Sequence, residues 1–474
     1  MKEFSNARKR ILSLLDENSF AEMGASVRAR STDFAPDPEA QPSDGVITGY
    51  GLIDGRLVYV YAQDEEVLGG SVGEMHAQKI RSLYRMAVRT GAPVIGLIAS
   101  AGFRLREGTD ALNAFACLYE AAASASGIVP QITGIFGTCG GGLSILSGIS
   151  DFTFMTDEAR LFVNAPNAVA GNYEEKKNTA SASAKAAAGA VDMTGTEEEV
   201  ICAIRTLVAM LPGSNEEEAC AECTDDLNRI LEGAADKASD AAALATMIAD
   251  EGEAIELKKD HAPEMVTMFI RLAGMTVGVV GNRSTDTKGR IGKENLTDLL
   301  TTDGMRKAAR FVHFCDAFGI PVLSLSSAAG FAASEDEENT VAAAAAQLVC
   351  AFADATVPKV NVITGSLMGS AYAVMNAKGT GADYTFALPG AKIGVMKASV
   401  AANILSKDQD AASLKEAEEA FDALQNSIDA AAGRGYVDQV VEPDKLRSYL
   451  IGIMEVLYSK ASVQPSRKHS THIG

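Results

Sequence analysis

Two glycine-containing turns are the parts of this sequence best suited to chemistry. One reads GTCGGGLSIL over 137–146, the other GSLMGSAYAVM over 365–375. In each, an apolar run ends in the turn and helix-compatible residues follow. Glycine permits positive φ and a close approach of backbone to ligand, while the first turn of the helix leaves N–H groups without partners. Two such amides aimed at a developing enolate oxygen make a preorganised oxyanion hole, and removing one donor of this kind costs roughly 3–4 kcal/mol. Neither turn is a GxGxxG or GxxxxGK(S/T) phosphate loop, which disfavours nucleotide binding by those routes. Close strand–helix packing explains most isolated Gly-Gly-Gly runs, but here the turn occurs twice.

Other reactive side chains are sparse. Five histidines (His76, His261, His313, His469 and His472) give a Ser/His hydrolase little support. His76 lies in the amphipathic run MHAQKIRSLYRMAV and reads as a packing residue. Cys220 and Cys223 make one metal-like pair without a second, in an acidic stretch that reads as solvated. VMKA at 395–398 imitates a biotin-attachment site, yet it falls inside the second repeat and not on an isolated hairpin, so Lys397 is set aside. Arg104 follows a strand end, where it could meet a phosphate or a carboxylate such as Glu107.

The turns recur because the chain is duplicated. TGAPVIGLIASAGF (90–103) returns as FGIPVLSLSSAAGF (318–331), so that Pro93 maps to Pro321 with an offset of 228. The same offset pairs Gly102 with Gly330, Phe103 with Phe331, Pro130 with Pro358, Gly137 with Gly365 and Gly141 with Gly369. After that the register slips by four residues, DFTF at 151–154 recurring as DYTF at 383–386. Each copy reads as an apolar strand, an Ala-rich helix and a second apolar strand. Right-handed crossovers would make these strands parallel, with helices outside. The expected fold is therefore α/β, in two related domains: 1–225, an exposed acidic helical connector at 226–260, and 261–474.

The 474 residues carry 62 acidic against 42 basic side chains, a net charge of −20, which argues against a general affinity for nucleic acid. The amphipathic start lacks the apolar core of a secretory signal, and no apolar run reaches membrane-spanning length. Seven cysteines in a chain of this size are expected as free thiols, in the cytoplasm.

VRARSTDF (27–34), DGVITGYGLIDGRLVYVYAQD (44–64), LGGSVGEMHAQKI (68–80), GAPVIGLIASAGFRLREG (91–108) and GTCGGGLSILSGISDFTFM (137–155) carry a resemblance over nearly the whole chain. KAARFVHFCDAFGIPVL (307–323), ATVPKVNVITGSLMGSAYAVM (355–375) and GADYTFALPGAKIGVM (381–396) extend it through the second half. The chain resembles the carboxyltransferase subunits of biotin-dependent acyl-CoA carboxylases and decarboxylases, of the propionyl-CoA carboxylase and methylmalonyl-CoA decarboxylase type, in the crotonase superfamily. The resemblance implies two duplicated ClpP/crotonase-like β-β-α superhelix domains in a homo-oligomer, with half-sites facing each other between subunits. It implies carboxyl transfer between carboxybiotin and a short acyl-CoA, propionyl-CoA/methylmalonyl-CoA first, with backbone holes stabilising the thioester and biotin enolates.

By position, Gly141 and Gly142 would face the thioester carbonyl, with Ala101, Gly102, Phe103, Arg104 and Gly140 on the acyl-CoA side. Ser370 and Ala371, following Gly369 in the catalytic turn, would face the biotin ureido carbonyl, with Gly330, Phe331 and Ala373 nearby. Biotin would ride on a separate carrier protein or domain, served by biotin carboxylase or sodium-pump decarboxylase subunits; no metal is implied. Phe103, Arg106, Ser327 and Ala373 depart from the family pattern. A glutaconyl-CoA-type decarboxylase, a scaffold that has lost turnover, and a crotonase-type hydrolase are the alternatives.

Overall fold

The computed structural model describes residues 4–34, 42–165, 178–283, 298–406, 410–462 and 471. The chain divides into two units, Met1–Ala219 and Cys220–Gly474.

In the first unit, helix α1 (Asn6–Leu14) leads into strands β1 (Ala21–Met23), β2 (Val46–Ile53) and β3 (Arg56–Gln63), which pair antiparallel. Helix α2 (Glu74–Thr90) follows, then β4 (Val94–Ile98), α3 (Thr109–Ala125), β5 (Gln131–Ile135) and β6 (Thr138–Gly140). Helix α4 (Gly142–Ile149), β7 (Phe152–Thr156), β8 (Arg160–Phe162), β9 (Met193–Gly195) and α5 (Glu197–Met210) complete the unit. The main sheet has the order β1-β2-β3-β4-β5-β7-β9 and is parallel from β3 onward, as the β-α-β reading requires. β4 and β5 are buried at every position, which is why they read as unbroken apolar runs. α2 buries Ala77, Ile80, Leu83, Tyr84 and Ala87, a stripe at helical spacing, and ends at Gly91 in the left-handed region at φ 64°.

The second unit repeats the plan. Helix α6 (Ala241–Ile248) precedes β10 (Ala254–Leu257), β11 (Met265–Leu272), β12 (Met275–Asn282), β13 (Leu299–Leu300) and α7 (Thr302–Ala317). Then come β14 (Val322–Ala328), β15 (Gly330–Phe331), α8 (Val341–Asp354), β16 (Lys359–Met368), α9 (Ser370–Val374), β17 (Tyr384–Ala387), β18 (Lys392–Gly394) and β19 (Gln439–Val440). The sheet order is β10-β11-β12-β14-β16-β17-β19, with β18 beside β16.

The duplication extends to single hydrogen bonds. The Gln131 amide donates to Asp151 Oδ2 at 2.8 Å, and the Lys359 amide to Asp383 Oδ2 at 2.8 Å. Lys79 Nζ donates to Ser43 O at 2.9 Å and also to Val46 O, while Lys307, at the same offset of 228, donates to Lys258 O at 2.8 Å and His261 O at 2.9 Å. Burial lowers both ammonium groups to about 8. Each buried lysine thus gathers the carbonyls of an irregular loop, whose peptide groups would otherwise be unsatisfied.

The expected exposed connector is corrected. The boundary along the chain falls between Ala219 and Cys220, and 226–260 belongs to the second unit. Leu231, Leu244, Ala245 and Ile248 are buried in its core, and β10 joins its sheet. Within α6 the apolar residues recur at helical spacing, so one face packs although the segment as a whole is acidic.

Candidate functional site

In the first unit β6 pairs with β8 and runs straight into the turn. Gly141 takes φ 59°, ψ −126°, a conformation that only glycine enters without strain, and α4 begins at the next residue. The Gly141 amide does not face outward: it donates to Phe162 O at 3.0 Å. Its expected role as a hole donor is therefore corrected. Among the described residues nothing accepts from the next two amides, Gly142 and Leu143. Gly142 must be glycine, since a Cβ would lie 2.8 Å from both Phe115 Cδ1 and Tyr119 Oη. Gly140 is buried, and a Cβ there would meet the Phe162 ring at 2.8 Å, so its place is in the packing of β6 on β8 and not on a ligand.

The loop leaving β4 is tied to this turn by the Ser100 amide, which donates to Thr138 O at 2.9 Å. Its backbone lies along 69–72: Ala101 N donates to Gly69 O at 2.9 Å, Val72 N to Gly102 O at 2.8 Å, and Arg104 N to Val72 O at 2.8 Å. Gly102 sits at φ 97°. Ala101 is exposed, and Phe103 is 48% exposed, so both side chains stay open to a ligand.

Arg104 does not. It is 7% exposed, and its five N–H donors are all engaged. Nη1 reaches Asp44 Oδ1 and Glu107 Oε1, each at 2.7 Å; Nη2 reaches Asp44 O at 3.3 Å and Ser71 O at 2.8 Å; Nε reaches Ser71 Oγ at 3.4 Å. Glu107 Oε2 in turn accepts from the Glu74 amide at 2.6 Å at the start of α2. Of the two partners expected for Arg104, the carboxylate of Glu107 is found and the CoA phosphate is corrected: the guanidinium braces the loop beneath the turn and has no donor left for a phosphate. Burial raises the Asp44 carboxyl, against the Arg104 charge, which lowers it. His76 is fully buried beside this network, with Nδ1 3.0 Å from Asp44 O. Desolvation, helped by Arg104, holds it down at about 3, so it is a neutral packing residue and no acid or base near pH 7.

The second turn is built alike. Gly369 has φ 58°, ψ −144°, and its amide donates to Gly394 O of β18 at 2.8 Å. Gly369 therefore shapes the turn and has no amide left for a ligand. The next amides, Ser370 and Ala371, have no acceptor among the described residues. Gly369 and Ser370 are exposed. A cavity of about 960 Å³ opens beside the turn, lined among others by Ala329, Ser366, Met368, Lys397 and Asn426. Gly330 and Phe331 form β15 against β13, and Ala373 is exposed with its carbonyl accepting from Thr380 Oγ1 at 2.6 Å. Lys397 directly precedes a helix at Ala398–Leu405, not the tip of a hairpin. Among the described residues no group of three His, Cys, Asp or Glu side chains is placed to hold a metal.

Leu143 was missed because its side chain carries no chemistry and its amide does. The repeat offset held the signal, since 228 maps Gly142 and Leu143 onto Ser370 and Ala371.

Two duplicated α/β units, each with a pair of helix-start amides that have no acceptor among the described residues behind a positive-φ glycine, have the architecture of a crotonase-type protein, in which such a pair can serve as an oxyanion hole. The carboxyl transferase domain model matches residues 5–472, and the chain belongs to that family. It is 39% identical to the propionyl-CoA carboxylase beta chain of Cereibacter sphaeroides, over 98% of this chain and 92% of that one. It is 35% identical to the methylmalonyl-CoA decarboxylase subunit alpha of Veillonella parvula, with the same coverage of 98% and 92%. A solved structure of transcarboxylase 12S, a hexamer with methylmalonyl-coenzyme A and methylmalonic acid bound, matches with a TM-score of 0.91 at 32% identity, over 98% of this chain and 92% of that one. The fold is of the crotonase type in both units, and the protein is a carboxyltransferase.

Proposed function

We propose that this chain moves a carboxyl group between biotin borne on a separate carrier and a short acyl-CoA, with propionyl-CoA and methylmalonyl-CoA as the acyl pair. The observation that carries this reading is the pair of equivalent turns, each with two amides that have no acceptor among the described residues, in a chain alike over 98% of its length to enzymes named for these acyl groups. In the first turn the Gly142 and Leu143 amides receive the thioester oxygen and stabilise the charge it gains when the α-carbon becomes an enolate. Ala101 and the exposed Phe103 border the acyl group.

A ureido carbonyl suits the second turn: two amides without an acceptor among the described residues, an exposed approach at Gly369–Ser370, no charged side chain in GSAYAV, and a cavity alongside. Biotin, when bound, supplies the transferable carboxyl group. Ser370 and Ala371 would orient biotin and Gly330 and Phe331 flank it; the ureido group, once its carboxyl leaves as carbon dioxide, would take the α-proton, so that no side-chain acid or base is needed, while exclusion of water and close placement keep the reactants together. The half-sites meet across subunits of a homohexamer, in keeping with the hexameric transcarboxylase relative. Carboxylase or decarboxylase direction is set by partner subunits: a biotin carboxylase and carrier, or a sodium-pump assembly.

The test is decarboxylation of methylmalonyl-CoA by the purified chain with and without free biotin, beside a Ser370→Pro variant. Proline is tolerated at the first helical position and removes one donor. Biotin-dependent turnover, reduced roughly 10²–10³-fold in the variant, is expected. CoA release without biotin would indicate a hydrolase. No turnover with methylmalonyl-, malonyl- or glutaconyl-CoA would overturn the reading in favour of a scaffold.

A further inference from the structure

The two turns match in backbone but differ in what stands behind them. A hole amide belongs to a trans peptide whose carbonyl points the opposite way, no peptide among the described residues being cis. Whatever grips that carbonyl fixes the plane of the peptide and, by polarising it, strengthens the N–H as a donor.

In the first turn both carbonyls are gripped by side-chain hydroxyls. Ser144 Oγ donates to Gly141 O at 2.6 Å, behind the Gly142 amide. Tyr119 Oη donates to Gly142 O at 2.9 Å, behind the Leu143 amide. Tyr119 projects from α3 beside Phe115, the ring centroids 6.1 Å apart, and these two side chains occupy the space a Cβ at 142 would need. Burial raises the Tyr119 phenol, so it stays a donor across the working pH range. In the second turn the offset of 228 puts Gln347 and Tyr372 at these positions. There only the backbone amide of Tyr372 reaches Gly369 O, at 3.2 Å, and among the described residues no side chain donates to Ser370 O.

We infer that Tyr119 is a positioning residue of the first half-site: by holding the Gly142 carbonyl it aims and polarises the Leu143 amide toward the thioester oxygen. The inference rests on assigning the first turn to the acyl-CoA. The asymmetry follows the chemistry. Both turns meet an oxygen that gains charge, but the group at the second arrives and departs on a carrier, and there the donors lack this side-chain backing.

The test is the carbonyl stretch of carbon-13-labelled propionyl-CoA bound to the wild type and to Tyr119→Phe, which keeps the ring and its packing. Unchanged thermal melting serves as the folding control. In the wild type the bound band lies below that of free propionyl-CoA. In Tyr119→Phe this lowering shrinks while affinity changes less than twofold. Biotin-dependent kcat falls about tenfold with KM nearly unchanged, less than the 10²–10³ expected for losing a donor outright.

An unaltered band and kcat in Tyr119→Phe would overturn the inference, as would a wild-type band no lower than that of the free ligand. A wild type that lowers the band but shows no biotin-dependent turnover would sink the carboxyl-transfer reading alone. The Tyr119 comparison would then still be decided by the band.

Discussion

The Gly369 amide donates to the Gly394 carbonyl at 2.8 Å and so has no N–H left for a ligand. That bond holds the turn in place and leaves Ser370 and Ala371 to face the ligand. Its geometry needs φ 58° and ψ −144°, where a side chain is strained by about 1–3 kcal/mol. Gly369→Ala should lower the unfolding free energy by roughly this amount. It should also cut biotin-dependent transfer more than a hundredfold, since the two amides shift together; chemical denaturation and steady-state kinetics measure the two effects.

Arg104 is the keystone of a buried network whose acids sit at 0% and 5% side-chain exposure. Arg104→Met should destabilise the chain by about 3–5 kcal/mol, because Asp44 and Glu107 are left buried without their shared partner. Arg104→Lys should recover part of that but not all, as an ammonium cannot span the same five acceptors. If the guanidinium instead bound a CoA phosphate, the Lys variant would raise KM for the CoA ester with little change in stability.

His76 gives a pH signature. Its value falls from 6.5 to about 3 on folding, so the native state binds the proton less readily than the unfolded chain. Its contribution is complete above about pH 6.5 and shrinks as pH falls, by about 1.4 kcal/mol per unit, until about pH 3. His76→Asn, which keeps a donor near Asp44 O, should show a flatter decline of denaturation midpoint across that window.

Lys307 holds the carbonyls of Lys258 and His261 from a buried position. Lys307→Met should leave that loop without its shared donor and raise amide hydrogen exchange over 258–262. The core strands β14 and β16 should keep their protection. Faster exchange throughout the second unit would show instead that the lysine supports global stability.

Much of this was legible in the sequence because it is local or periodic. The duplication, the parallel β-α-β units, the two turns and their equivalence follow from apolar runs, glycine positions and a constant offset. The packing role of His76 followed from its place on the buried stripe of α2, and the structure bears it out. The 226–260 segment misled because charge was averaged over it, while burial depends on which face of α6 the apolar residues share.

Which backbone groups remain free was decided by tertiary structure alone. Gly141 and Gly369 lose their amides to Phe162 and Gly394, more than twenty residues downstream, once β8 and β18 close beside the turns. Arg104 is claimed by Asp44, 60 positions away. Tyr119 reaches Gly142 only because α3 packs against α4. Residue type and spacing fix which elements form and where a turn must lie. The partner of each donor depends on which acceptor the assembled fold brings within about 3 Å, and no local pattern encodes that distance.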